Sequence, residues 1–93
     1  MKTAIITGCA GGIGAATVKK FLSCGWFVVG MDVVEDSVAQ TVLGTPANFE
    51  YLRGDLSSTA DRNALIALAV ESGRTIDALV NVAGGAPKVR ADI

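Results

Sequence analysis

Short apolar runs and helical stripes alternate along the chain. Ala4-Ile5-Ile6 predicts a first strand, and a helical pattern then runs to about Cys24. Its stripe of Gly14, Val18, Phe21, Leu22 and Gly25 follows the spacing of one helix face. Gly25 is placed to stop that helix. Trp26 to Met31 is a near-continuous apolar run closing at Asp32, as a strand covered on both faces requires. Glu35 to Leu43 predicts a short helix with acids in its first turn and Val38 and Val42 on one side, ended by Gly44 and Pro46. Asn48 to Arg53 carries polar residues that only an edge strand tolerates. After a turn at Gly54-Asp55-Leu56, Ser57 and Ser58 cap a helix from about Thr59 to Gly73, Ser58 and Asp61 standing at capping-box spacing. Leu65, Leu68, Ala69 and Ser72 line its expected face, with Ile66 and Val70 widening the band. Asp77 to Val82 is the fourth strand.

This β-α-β-α-β-α-β order, wound with right-handed crossovers, predicts a three-layer α/β fold. Its parallel sheet runs 3-2-1-4, and the ligand crevice lies between strands 1 and 4, where the winding reverses. The fourth strand has interior character and would otherwise be a bare edge. The sequence therefore reads as half of a doubly wound sheet. Its outer edge is expected to be covered by the rest of a longer protein or by a second copy.

At 93 residues the chain allows one small domain. It is 51% hydrophobic and 18% charged, which excludes a disordered chain. Its net charge of −1, with both signs interspersed, gives no case for a nucleic-acid or membrane surface. Cys9 in the loop and Cys24 at the helix end stand roughly 18 Å or more apart at 1.5 Å rise per residue. That spacing forbids a bridge between them, and two free thiols fit a reducing, cytoplasmic compartment. At Cys9 a small loop-filling residue is the simpler reading than a functional thiol.

The chemistry gathers at Thr7-Gly8-Cys9-Ala10-Gly11-Gly12-Ile13-Gly14, between the first strand and first helix. Glycines there permit a sharp turn and close approach of a ligand, and Gly14 on the inward stripe brings the helix near the sheet. The helix N-terminus offers free N–H groups and partial positive charge to a pyrophosphate. Asp32, about 20 residues on, can accept both hydroxyls of an adenosine ribose. A 2′-phosphate would meet like charge there, at about 4 kcal/mol per unit charge for 4 Å and an effective dielectric of 20. The carboxylate therefore favours NAD over NADP.

The Thr-Gly-x-x-x-Gly-Ile-Gly spacing of Thr7 to Gly14 resembles the loop of the classical short-chain dehydrogenase/reductase family, a Rossmann-type fold. Asp32, the Asp55-Leu56 pair, and Asn81-x-Ala83-Gly84 match further family segments in order, with Val82 departing from the usual second Asn. The resemblance implies that Gly8, Gly11, Gly12, Ile13 and Gly14 hold the pyrophosphate and its ribose. Asp55 and Leu56 would meet the adenine, and Asn81, Ala83 and Gly84 the ribose side of the crevice, with Thr7 tying the loop to Asn81. Gly11 stands where phosphate-preferring relatives often carry Arg or Lys. Simpler roles remain open for two of these residues: Asp55 starting the next helix, and Asn81 satisfying backbone groups.

The family's proton chemistry uses a Ser, and a Tyr and Lys at Tyr-x-x-x-Lys spacing. Here Tyr51 is followed four residues on by Asp55, there is no histidine, and Ser57, Ser58 and Ser72 fall at helix ends. No catalytic residue and no metal ligand is assigned. Two readings stand. One is the cofactor half of an NAD-dependent oxidoreductase acting on an alcohol or ketone, with its catalytic half absent from this sequence. The other is a stand-alone, non-enzymatic module that binds NAD or an adenine nucleotide, or that self-associates.

Overall fold

The computed structural model describes residues 1–82. Four parallel strands, β1 (Thr3–Thr7), β2 (Phe27–Asp32), β3 (Phe49–Arg53) and β4 (Ile76–Asn81), lie in the order β3-β2-β1-β4. Helices α1 (Gly12–Ser23), α2 (Asp36–Leu43) and α3 (Thr59–Val70) connect them, so the expected 3-2-1-4 winding is the observed one.

Strand β1 is buried along its whole length, as a central strand must be. Its side chains alternate between two separate cores. Ala4 and Ile6 join Cys9, Ala15, Val18, Val28 and Leu43 beneath α1 and α2. Ile5 turns the other way, with Val29 and Met31, toward Leu65 and Ala69 of α3. One face of the sheet thus carries two helices and the other carries one.

Helix α1 closes as the glycine predicts. Gly25 has φ +87°, its N–H donates to the Leu22 carbonyl at 3.0 Å, and Trp26 N–H donates to Phe21 at 3.1 Å. This Schellman pattern brings its usual apolar contact, Phe21 against Trp26 with ring centroids 4.9 Å apart. Trp26 therefore belongs to the helix cap, and β2 begins one residue later than the apolar run suggests. Ser58 caps α3 and accepts from Asp61 N–H at 3.2 Å, matching the capping-box spacing.

Packing decides which faces of α2 and α3 are buried. In α2 the buried residues are Ala39 and Leu43, while Val38 is 46% exposed and Val42 also faces outward. Leu43 is the largest aliphatic side chain in that helix; burying it with Ala39 one turn earlier rotates both valines away. Helix α3 ends at Val70, and a 3₁₀ turn, Glu71–Gly73, follows with Ser72 at φ +63°. Ser72 is consequently exposed and does not line the inner face, and Ile66 and Val70 are exposed as well. Arg74 takes over the helix end: its Nε donates to the Ala69 carbonyl at 3.2 Å and an Nη to Leu68 at 2.8 Å. The guanidinium lies 3.9 Å from the Phe27 ring centroid.

At its start β4 slips register against β1, with Thr3 opposite Ile76 and Ala4 opposite Ala78. The skipped residue, Asp77, offers its carboxylate to Thr3 N–H at 2.9 Å, so the displaced backbone donor keeps a partner. No helix among the described residues is long and apolar enough to cross a membrane.

Candidate functional site

All four strands point their carboxyl ends at one rim, which carries Thr7, Asp32, Arg53 and Asn81. A groove of about 320 Å³ runs along it, lined by Thr7, Gly8, Met31, Asp32, Val33, Gly54, Asp55, Leu56 and Asn81. Six residues picked out in the sequence (Thr7, Gly8, Asp32, Asp55, Leu56 and Asn81) are thereby brought into one cleft. Gly11, Gly12 and Ile13 form the adjoining start of α1, with Ile13 74% exposed. Ala83 and Gly84 lie outside the described residues.

The glycine turn is built by backbone hydrogen bonds. Gly8, at φ +70°, donates its N–H to the Met31 carbonyl at 2.8 Å, and Gly11 N–H reaches back to the Gly8 carbonyl at 3.3 Å. Gly14 is buried directly beneath. A Cβ there would collide with the Gly8 carbonyl oxygen and stand 2.7 Å from its carbon and 2.9 Å from Cys9 Cα. The contribution of Gly14 is space for the loop, as its place on the inward stripe suggests. At Gly12, by contrast, a Cβ would meet nothing within 4 Å. Among the described residues the N-terminus of α1 has no side-chain cap and no acid in its first turn, so no side chain there answers its first N–H groups.

Asp32 is the hinge of the electrostatics. Its Oδ2 accepts from Ala10 N–H at 2.9 Å and its Oδ1 from Val33 N–H at 2.7 Å. The carboxylate is half-buried, closes β2, and binds the glycine turn directly. Each oxygen keeps lone-pair capacity for a further donor. Across the groove, Thr7 Oγ1 donates to Asn81 Oδ1 at 2.7 Å, and Val82 N–H donates to the Thr7 carbonyl at 3.1 Å. Asn81 is thus held through its amide oxygen, and among the described residues its amide nitrogen is left to donate.

The third wall is local. Asp55 Oδ1 accepts from both the N–H and the hydroxyl of Ser57 at 2.9 Å, which holds its carboxyl below the usual range. Asp61, besides answering Ser58, accepts from Asp55 N–H at 2.8 Å. Asp55 therefore does shape the entry to α3, while still bordering the groove.

Sequence reasoning missed two arrangements. Gly30 lies inside β2 because a Cβ there would be 2.7 Å from Cys9 Sγ and 3.0 Å from a Phe49 ring carbon. A glycine within an apolar strand was the available signal. Cys9 is fully buried at this contact, and burial, followed by the nearby Asp32 charge, raises its thiol to about 12. The second is Tyr51, whose hydroxyl lies 2.6 Å from the Val34 carbonyl and 3.0 Å from that of Asp32. Among the described residues no group of three or more potential ligands is placed to hold a metal ion.

A glycine turn, an uncapped helix start and a strand-end carboxylate around the reversal point of a parallel sheet define a nucleotide-binding α/β unit of the doubly wound class. Comparison with known proteins narrows this. A family model described as short chain dehydrogenase matches residues 2–92, and the chain belongs to that family. It is 43% identical over 84 residues to the short chain dehydrogenase andC of Emericella variicolor, covering 89% of this chain and 32% of that one. Among solved structures it resembles a 3-ketoacyl-(acyl-carrier-protein) reductase from Brucella melitensis complexed with NADH. The TM-score is 0.74 at 30% identity, over 84% of this chain and 32% of the other. A short chain dehydrogenase/reductase from Burkholderia phymatum in complex with NAD matches with TM-score 0.70 at 32% identity, over 84% and 29% respectively. The chain spans about a third of the length of the relatives it matches.

Proposed function

We propose that this chain holds the dinucleotide of a short-chain oxidoreductase acting on an alcohol or ketone, and that it takes NAD in preference to NADP. The observation that carries the reading is Asp32, a carboxylate in the groove wall hydrogen-bonded to the glycine turn. It can accept ribose hydroxyls, and it would repel a 2′-phosphate. The two structural relatives described above are themselves bound to NADH and NAD.

In this reading the first N–H groups of α1, those of Gly12 and Ile13, meet the pyrophosphate, with Gly8, Gly11 and Gly14 shaping the turn. Asp55 and Leu56 border the adenine, while Asn81, with Ala83 and Gly84, serves the second ribose. The nicotinamide, when bound, supplies hydride exchange with the substrate carbon. The Ser and Tyr-x-x-x-Lys of the proton step belong to a longer polypeptide, as does the substrate pocket. That remainder, or a second copy, covers the outer side of β4 and α3, where Ile66, Ile76 and Leu79 are exposed. A cytoplasmic setting suits the exposed free thiol of Cys24.

Asp32→Asn is the test, because it keeps an acceptor for Ala10 N–H while removing the charge. Calorimetry is expected to show NAD bound more weakly, with the NAD-to-NADP preference narrowed roughly tenfold or more. An unchanged ratio would refute the assignment.

A further inference from the structure

The turn that follows Asp32 is held from outside itself. Residues 32, 33 and 34 present three successive carbonyls, and each accepts from β3 or the residue just beyond it. Gly54 N–H donates to Asp32 at 2.9 Å, Arg53 Nε donates to Val33 at 3.1 Å, and Tyr51 shares its hydroxyl proton between Val34 and Asp32. The register explains how one strand can do this. Tyr51 lies opposite Gly30 and Arg53 opposite Asp32, so two side chains on one face of β3 follow the chain as it leaves β2. Gly30, with no side chain, leaves room on this face for Cys9 and for the Phe49 ring.

We infer that Tyr51 and Arg53 are positioning residues. By gripping the carbonyls of the Asp32–Val34 turn they fix the Asp32 carboxylate on Ala10 N–H, and through it the selectivity of the ribose end of the groove. The carboxylate reaches the glycine turn only while its own backbone is held: Oδ1 is tied to the next residue's N–H and Oδ2 to Ala10. Loosening the turn lets the carboxylate drift from the loop, and the donor–acceptor pair a ribose diol would meet is lost. The selectivity half of this inference rests on the NAD reading above; the positioning half does not.

The two halves have separate readouts in one pair of variants, Tyr51→Phe and Arg53→Met, made in the whole chain. The first deletes one hydroxyl and keeps the ring; the second keeps the aliphatic stem and deletes the donor. By NMR of the ligand-free protein, the Ala10 amide is expected to move upfield and to exchange with solvent about fivefold faster in each variant. Amides in the middle of β1 should be unchanged, which a general loss of stability would not give. Calorimetry with NAD and NADP should then show the preference narrowed in the same variants. An Ala10 amide that stays put in the folded variants overturns the inference. Should Tyr51→Phe not fold, Arg53→Met decides by the same two readings. Wild-type protein that binds neither dinucleotide, with Ala10 still responding, would leave the positioning intact and sink the NAD reading instead.

Discussion

Two protons are held tightly in the core beneath α1 and α2, close to Asp32. Burial first, then the Asp32 charge, raises the Cys9 thiol from 9.0 to about 12. Tyr51 is raised from 10.0 to about 12, by desolvation and then by the charges of Cys9, Asp32 and Asp36, against a smaller opposing pull from Arg53. Both groups are acids whose folded values lie above their unfolded ones, so the folded state keeps the proton longer. Their contribution is whole below about pH 9 and is lost as the pH rises toward 12. Urea midpoints measured from pH 8 upward should therefore begin to fall near 9. In Cys9→Ala the fall should start later, near the tyrosine's own range, and coincident curves for both proteins would contradict this. Asp32 could be found from residue type and place, and the Thr7–Asn81 pair from the family resemblance. The grip of Tyr51 could not, because it depends on which way an edge strand's side chain turns.

At the scale of elements, glycine and the strand rhythm carry most of the information. The stop at Gly25 and the cap at Ser58 are local chemistry, so they are legible without coordinates. The rotation of α2 is not local. Val38/Val42 and Ala39/Leu43 give stripes only one residue apart, and packing against β3 and α1 chooses between them. Gly14 tests how tightly α1 and its preceding turn are joined. Gly14→Ala places a methyl against the backbone of Gly8, where no flexible side chain can yield, and should destabilise by about 3 kcal/mol or more. Gly12→Ala, with open space around it, should stay within about 0.5 kcal/mol. Equal denaturation midpoints for the two variants would show that the turn adapts.

The whole sheet is lopsided. Its β3 side ends in a strand carrying charges, whereas its β4 side leaves Leu79 67% exposed beside Ile66 and Ile76, over an apolar cleft of about 510 Å³. The 3-2-1-4 order follows from crossover handedness and was legible. The unequal layers follow from it, since the third crossover returns over the opposite face. A 93-residue polypeptide of this sequence, prepared alone, is expected to self-associate with rising concentration in sedimentation. Leu79→Lys should shift it toward monomer, because a charge on an open edge opposes edge pairing. No change in the monomer fraction would mean that association runs through another surface.

The cap of α1 has a practical consequence. Trp26 is the single tryptophan of the chain, set against Phe21 and beneath the Lys2 ammonium, 5.5 Å from its ring centroid. A helix length of roughly 18 Å separates it from the glycine turn. Indole emission therefore reports melting of the sheet's amino-terminal end, and the ring makes no contact with an oxidised dinucleotide settling at the other. Fluorescence can follow unfolding in a titration with oxidised NAD while calorimetry follows occupancy.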